Sequence, residues 1–269
     1  MRIALVQMNS QDDKAANLER AEALVAQAAA WGPDLVVLPE LWTYVGPRKR
    51  HAEVAEPIPG ETSELLGRWT SRYRFWMVAG SYLEAVEGSE RMFNTSLAVS
   101  PDGDIVARYR KLHLFDVEVD GKSYQESATM SAGAEAVVAD LGRARVGLSI
   151  CYDLRFPELY RRLADRGARL VTVPAQFQMD TGRDHWEVLL RARAIENQVW
   201  VLAAAQCGTH PPALASYGNA MAVDPWGTVR ARAGYREGVV VADVDFVEQE
   251  RLRESFPVLQ HRRRDLFTF

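Results

Sequence analysis

Runs of apolar, β-rich residues recur along the chain at 3–8, 35–38, 76–81, 95–99, 105–109, 146–150, 170–173, 199–205, 220–223 and 239–244. Several are continuously apolar instead of alternating, which predicts strands covered on both faces. Between them the period changes to that of a helix. Leu18, Ala21, Leu24, Val25 and Ala28 share one face, and Leu65, Leu66 and Trp69 another. Leu159, Leu163 and Ala164 repeat the pattern, as do Trp186, Leu189, Leu190 and Ile195, and residues 246–253 form a fifth helical stretch. Strands interleaved with helices predict an α/β fold. No linker, repeat or low-complexity segment interrupts the pattern, so one domain over residues 1–269 is expected.

Composition narrows the function classes. Hydrophobic residues make up 48% of the 269 and charged residues 25%, the balance of a globular protein with a large core. The 32 Lys and Arg against 36 Asp and Glu leave a net charge of −4, without the basic excess of a phosphate-backbone binder, so no nucleic-acid partner is expected. No stretch approaches the ~18–20 apolar residues that span a bilayer and no signal peptide is read, so no membrane partner is expected. Cys151 and Cys207 are too few for a disulfide framework and lack zinc-type spacing, which points to a reducing, cytoplasmic setting. The charge run Arg262-Arg263-Arg264 reads as surface pairing.

Candidate chemistry sits at strand ends. Residues 147–158 read as a buried strand, a short turn and a helix with Pro157 in its first turn, which places Cys151 between strand end and helix start. Backbone N–H groups and the helix dipole there are expected to lower the thiol pKa. Taken alone, Cys151 reads equally as a small core residue. Glu40 is the first ionisable side chain beyond the 35–38 run, where partial desolvation suits a general base. Lys111 ends the 105–109 run. In open α/β architectures ligands collect at such ends, so base, cation and nucleophile are expected to converge there. His113 and His185 flank apolar segments and offer a competing Cys–His arrangement, but neither has a spacing that forces it beside Cys151. No His-x-x-x-His or Cys-x-x-Cys pair suggests a metal site.

Glu40, Lys111 and Cys151, in that order, resemble the Glu-Lys-Cys triad of the nitrilase, or carbon–nitrogen hydrolase, superfamily. The likeness covers essentially the whole chain and is carried by Leu38-Pro39-Glu40-Leu41, Tyr109-Arg110-Lys111-Leu112-His113-Leu114-Phe115 and residues 149–158. Residues 116–119, 125–127, 181–187, 191–197 and 223–227 are similar to its Nit branch. The resemblance implies an α-β-β-α sandwich of two mixed sheets flanked by helices, associating as a homodimer or higher homo-oligomer, with no cofactor. It also implies that Cys151 attacks an amide carbonyl, Glu40 moves the protons, and Lys111 with the Tyr152 backbone N–H holds the oxyanion. Glu126, in Gln125-Glu126-Ser127, matches the family's second glutamate, which positions the lysine and the substrate.

Two activities dominate the Nit branch: cleavage of deaminated glutathione to 2-oxoglutarate and cysteinylglycine, and omega-amidase action on 2-oxoglutaramate. Residues 203–210, 216–218 and 258–263 resemble the former more closely. The expected small-molecule substrate is therefore an amide of an oxo-acid. Another amidase or N-carbamoyl amidohydrolase activity, or a catalytically silent scaffold, is the alternative. Arg155 is a candidate for a substrate carboxylate, or for an ion pair with Glu158 or Asp153. Phe177 and Trp186 are candidate pocket walls. Pro174-Ala175-Gln176-Phe177 departs from the family pattern by placing Gln176 where alanine is usual, which bears on acyl selection.

Overall fold

The computed structural model describes residues 1–119 and 122–267. Two sheets stack face to face. The larger runs in the order Leu214–Tyr217, Ala205–His210, Arg2–Met8, Leu35–Val37, Trp76–Val78, Phe93–Val99 and Tyr82–Glu84; Gly238–Asp243 adds antiparallel to Arg2–Met8, and Ile105–Arg110 to Phe93–Val99. The smaller runs Val229–Arg232, Met221–Val223, Trp200–Ala203, Leu170–Thr172, Arg145–Leu148 and Val138–Asp140. Parallel and antiparallel neighbours occur in both.

The continuously apolar runs follow from this layering. Ile3 and Leu5 join the cluster that also holds Val146, Leu148 and Ile150 of the other sheet. Ala4, Val6 and Met8 turn the opposite way, against Ala21, Val25 and Ala28 of the helix Lys14–Ala29 and near Leu66 and Trp69 of Glu61–Tyr73. Leu35 and Val37 divide from Val36 and Leu38 in the same manner, so each strand buries both of its faces. Beyond the smaller sheet lie Pro157–Asp165 and Glu187–Asn197. Leu163 of the first packs directly on Gly147, where a side chain would force it outward. The helices and sheets thus form an α-β-β-α sandwich.

One run divides. The apolar stretch 199–205 is two strands, Trp200–Ala203 in the smaller sheet and Ala205–His210 in the larger. The small side chains of Ala203, Ala204 and Ala205 let the chain cross between sheets, and Ala204 accepts from the Ala175 N–H at 2.9 Å. Apolar periodicity carries no mark of a change of sheet.

Gly80 fixes the loop that carries Glu40. It has φ 57°, and a Cβ there would overlap the Pro39 carbonyl. The Ser81 N–H donates to that same carbonyl at 3.2 Å, and the Ser81 hydroxyl accepts from the Leu41 N–H at 3.1 Å. Gly80→Ala is therefore expected to cost about 2 kcal/mol or more, from the left-handed backbone and the displaced carbonyl together. Denaturant unfolding measures it, and activity should fall with it because Pro39 is bonded directly to Glu40.

Candidate active site

A cavity of about 540 Å³ opens over Cys151, within the ~300–1,000 Å³ usual for small-molecule sites. Its walls include Glu40, Lys111, Glu126, Tyr152, Arg155, Gln176 and Phe177. Glu40, Lys111 and Cys151 each arrive from a different strand end: Glu40 beyond Leu35–Val37, Lys111 directly after Ile105–Arg110, and Cys151 beyond Arg145–Leu148. Glu126 comes from the foot of a two-stranded hairpin formed by Asp116–Val119 and Lys122–Gln125.

Lys111 is the centre of the polar network. Only 2% of its surface is exposed, and its Nζ donates to Glu40 Oε1 at 2.9 Å and to Glu126 Oε1 and Oε2 at 3.0 and 2.9 Å. Burial by itself would lower the lysine pKa, but Glu126, Glu40 and Cys151 outweigh it and hold the ammonium well above the ordinary lysine range. Glu126 Oε2 also accepts from the Phe115 N–H at 2.7 Å. Glu40 Oε2 accepts from the Gln176 N–H at 2.7 Å.

The thiol departs from expectation. Burial pushes Cys151 well above the usual cysteine range; the charge and hydrogen bond of Glu40 push it further, while Lys111 and the Gln176 N–H pull it back. The lowered pKa expected from a helix start is absent for a geometric reason. Cys151 opens a short 3-10 turn, Cys151–Arg155, and the following α-helix begins only at Pro157. Its own N–H is spent on the Pro174 carbonyl at 2.9 Å. Burial and the neighbouring Glu40 carboxylate both favour the protonated thiol. Cys151 also has φ 47°, a left-handed conformation that costs a non-glycine residue about 1–2 kcal/mol and marks a functional turn. The Tyr152 N–H meets no acceptor among the described residues and remains available beside the sulfur.

Asp153 holds this turn in place. Fully buried, its carboxylate accepts from Tyr109 Oη at 2.6 Å, the Ile150 N–H at 2.8 Å and the His113 N–H at 3.0 Å, and His113 Nδ1 lies 2.7 Å away. His113 is thus bound to Asp153, not to Cys151. His185 Nδ1 lies 3.2 Å from Arg155 Nη1. Arg155 makes no ion pair with Glu158 or Asp153; its guanidinium sits 5.1 Å from the Phe177 ring and 5.9 Å from that of Tyr152. Gln176 lines the cavity, and its side-chain nitrogen is buried without a partner among the described residues.

Trp186 is not a cavity wall. It is wholly buried, donates from Nε1 to the Asn219 carbonyl at 2.9 Å, and backs Phe177 with ring centroids 5.1 Å apart. Its place inside the wide turn Gly182–Trp186, ahead of the helix Glu187–Asn197, turns it inward. Cys207 is buried in Ala205–His210 and absent from the cavity lining. Among the described residues no group of three or more His, Cys, Asp or Glu is arranged to hold a metal ion.

Sequence reasoning passed over Asn94. Its Nδ2 donates to Glu40 Oε1 at 3.0 Å and Glu126 Oε1 at 3.3 Å, and its carbonyl accepts the Lys111 N–H at 2.9 Å. The available signal was a polar residue at the head of a strand buried over nearly all its length, Phe93–Val99.

Two buried carboxylates depend on one ammonium, so Lys111→Met is expected to destabilise the fold by about 3–5 kcal/mol at neutral pH. Without the shared cation, the like charges of Glu40 and Glu126 face each other unscreened. Urea unfolding of wild type and variant at neutral pH checks it; an unchanged midpoint would contradict the shared-cation reading.

The chain is similar to known proteins over nearly its whole length. The carbon-nitrogen hydrolase family profile matches residues 2–254. A deaminated glutathione amidase of Synechocystis is 42% identical over 96% of this chain and 97% of its own length. The human omega-amidase NIT2 is 38% identical over 99% of this chain and 96% of its own. The crystal structure of the C. elegans NitFhit protein superposes with a TM-score of 0.93 at 40% identity, over 99% of this chain and 66% of that longer one. Fold, sequence profile and full-length relatives coincide: the chain belongs to the carbon–nitrogen hydrolase family.

Proposed function

We propose that the protein is a cysteine-dependent amidase that cleaves a small oxo-acid amide, deaminated glutathione foremost, through a thioester on Cys151. The observation that carries this reading is the convergence of Cys151, the buried Glu40 carboxylate and Lys111 on one cavity, with Lys111 tying Glu40 to Glu126. The full-length likeness to a deaminated glutathione amidase supports the substrate.

In this mechanism Glu40 takes the thiol proton as Sγ bonds to the amide carbonyl carbon. The resulting oxyanion is held by the Lys111 ammonium and the Tyr152 N–H. The C–N bond then breaks as Glu40 returns the proton to the leaving amine. Water, deprotonated by Glu40, attacks the thioester, and the thiolate leaves with that proton. Glu126 keeps Lys111 aligned, and Asn94 spans the two carboxylates. Arg155, four residues beyond the nucleophile and without a carboxylate partner among the described residues, takes the carboxylate of the acyl half. Phe177 lines the acyl pocket, and the unpartnered Gln176 amide supplies a hydrogen bond to the substrate.

An omega-amidase acting on 2-oxoglutaramate is the second reading, favoured by the human NIT2 likeness. Both transfer the same acyl group, so one assay separates them: 2-oxoglutarate release from each amide, in parallel, with wild type and Cys151→Ala. Higher kcat/KM on deaminated glutathione is expected, with loss of turnover in Cys151→Ala. Glu40→Gln should lower kcat by at least ~10²–10⁴-fold. Retained turnover in Cys151→Ala would remove the thioester.

The chain is also proposed to act as one catalytic unit that pairs with a second copy, in the cytoplasm, where the free Cys151 thiol stays reduced. Among the described residues no helix is long and apolar enough to cross a membrane. Val188 and Ile195 on the outer helix are 65% and 48% exposed, and Ile195 meets the Trp226-Gly227 turn, where Trp226 lies 6.1 Å from Phe256. This contiguous apolar patch supports self-association. Sedimentation of a Val188→Asp, Ile195→Asp variant is expected to shift the dimer to monomer; an unchanged profile would place the interface elsewhere.

A further inference from the structure

One cation of the cavity has no part in the acyl-transfer steps. Arg48 lines the same cavity as Cys151 and opens the short 3-10 turn Arg48–Arg50, far from Cys151 in sequence. Its Nη1 donates to the Gln125 carbonyl at 2.9 Å, one residue before Glu126, which pins the guanidinium at the foot of the hairpin and leaves its other donors without a partner among the described residues. No carboxylate among the described residues forms an ion pair with it. Asp116 lies near enough to be held below the usual carboxylate range, chiefly by hydrogen bonds from Ser127 and more weakly by Arg48, but gives its Oδ1 to the Ser127 N–H at 3.0 Å. His51, buried in the same wall, is pushed down to about 4 by burial and then by Arg48, so it adds no charge at neutral pH. Arg48 is the cation of that wall.

The second cation lies elsewhere on the rim. Tyr124, Phe115 and Tyr152 form an arc of aromatic contacts with ring centroids 5.5 and 5.0 Å apart. Arg48 is anchored beside Tyr124, at Gln125, and Arg155 lies over Tyr152 at the far end. A cavity with one arginine at each end of an apolar arc matches a ligand with two separated anionic ends, since the fixed fork of a guanidinium suits a carboxylate.

We propose that Arg48 recognises a second carboxylate, carried by the leaving amine, so that the preferred substrates are dianionic amides with one carboxylate in each half. The inference rests on the amidase reading and sharpens it. Deaminated glutathione carries the glycine carboxylate beyond the bond to be cleaved, whereas 2-oxoglutaramate releases ammonia and has no group to reach Arg48.

Calorimetric titration of Cys151→Ala protein tests this without turnover. The probes are deaminated glutathione and its analogue with the glycine carboxylate converted to a carboxamide. The carboxylate is expected to bind about tenfold more tightly than the carboxamide, the size of one charge-assisted hydrogen bond at a partly open site. Adding Arg48→Gln should bring that ratio close to one, and Arg48→Lys should restore part of it. A ratio near one in the parent, or the same ratio with and without Arg48, would overturn the proposal. Turnover by wild type tests the amidase reading separately: the Arg48-dependent ratio with no cleavage of either amide would refute that reading and uphold the carboxylate site.

Discussion

A single buried ammonium holds the site together. Lys111 is closed off from water between the buried Glu40 and the part-buried Glu126, and its charge offsets the cost of holding two carboxylates this close together. Burial first, and the Glu40 charge after it, push the Cys151 thiol well above the usual cysteine range, and the ammonium only partly offsets them. Asn94 supplies the other donor that both glutamates share, without adding charge. Backbone N–H groups of Phe115 and Gln176 take remaining lone pairs of the two glutamates. The strand ends must therefore meet at fixed distances, and the layered core exists at this point to make them do so.

That core was largely legible in the sequence. Continuous apolar runs meant strands covered on both faces, and the division of Ile3 and Leu5 from Ala4, Val6 and Met8 is the physical content of that pattern. The 199–205 run hid a change of sheet, because small residues at a crossing look the same as small residues in a strand. Glu40, Lys111 and Cys151 could be singled out because ionisable or nucleophilic side chains stood just past buried strands. Asn94 stood out only as a polar residue in a strand buried over nearly all its length, a signal that gives it no role until its two carboxylates are seen.

Two misreadings share a cause. The cysteine was expected to be acidic because a strand-to-helix junction normally offers free N–H groups and a dipole. The junction here is a 3-10 turn whose first N–H is already bonded to Pro174, and burial, with the nearest carboxylate after it, outweighs what the backbone offers. Trp186 was a candidate pocket wall, though aromatics at its helical period are more often core, and the wide turn before the helix rotates it behind Phe177. Local pattern gives an element's type; which partner its polar and aromatic groups meet depends on neighbours distant in sequence.

The resting protonation of the nucleophile is the claim on which the chemistry turns. It can be read from thiolate absorbance near 240 nm, as the difference between wild type and Cys151→Ala across a pH titration. A protonated thiol paired with the Glu40 carboxylate gives no thiolate signal at neutral pH, and the signal should rise only well above the ordinary thiol pKa of about 8.5. Thiolate absorbance already present at pH 7 would contradict the assignment of Glu40 as the base that takes the proton, and would mean that Lys111 and the backbone donors, not the carboxylates, govern the sulfur.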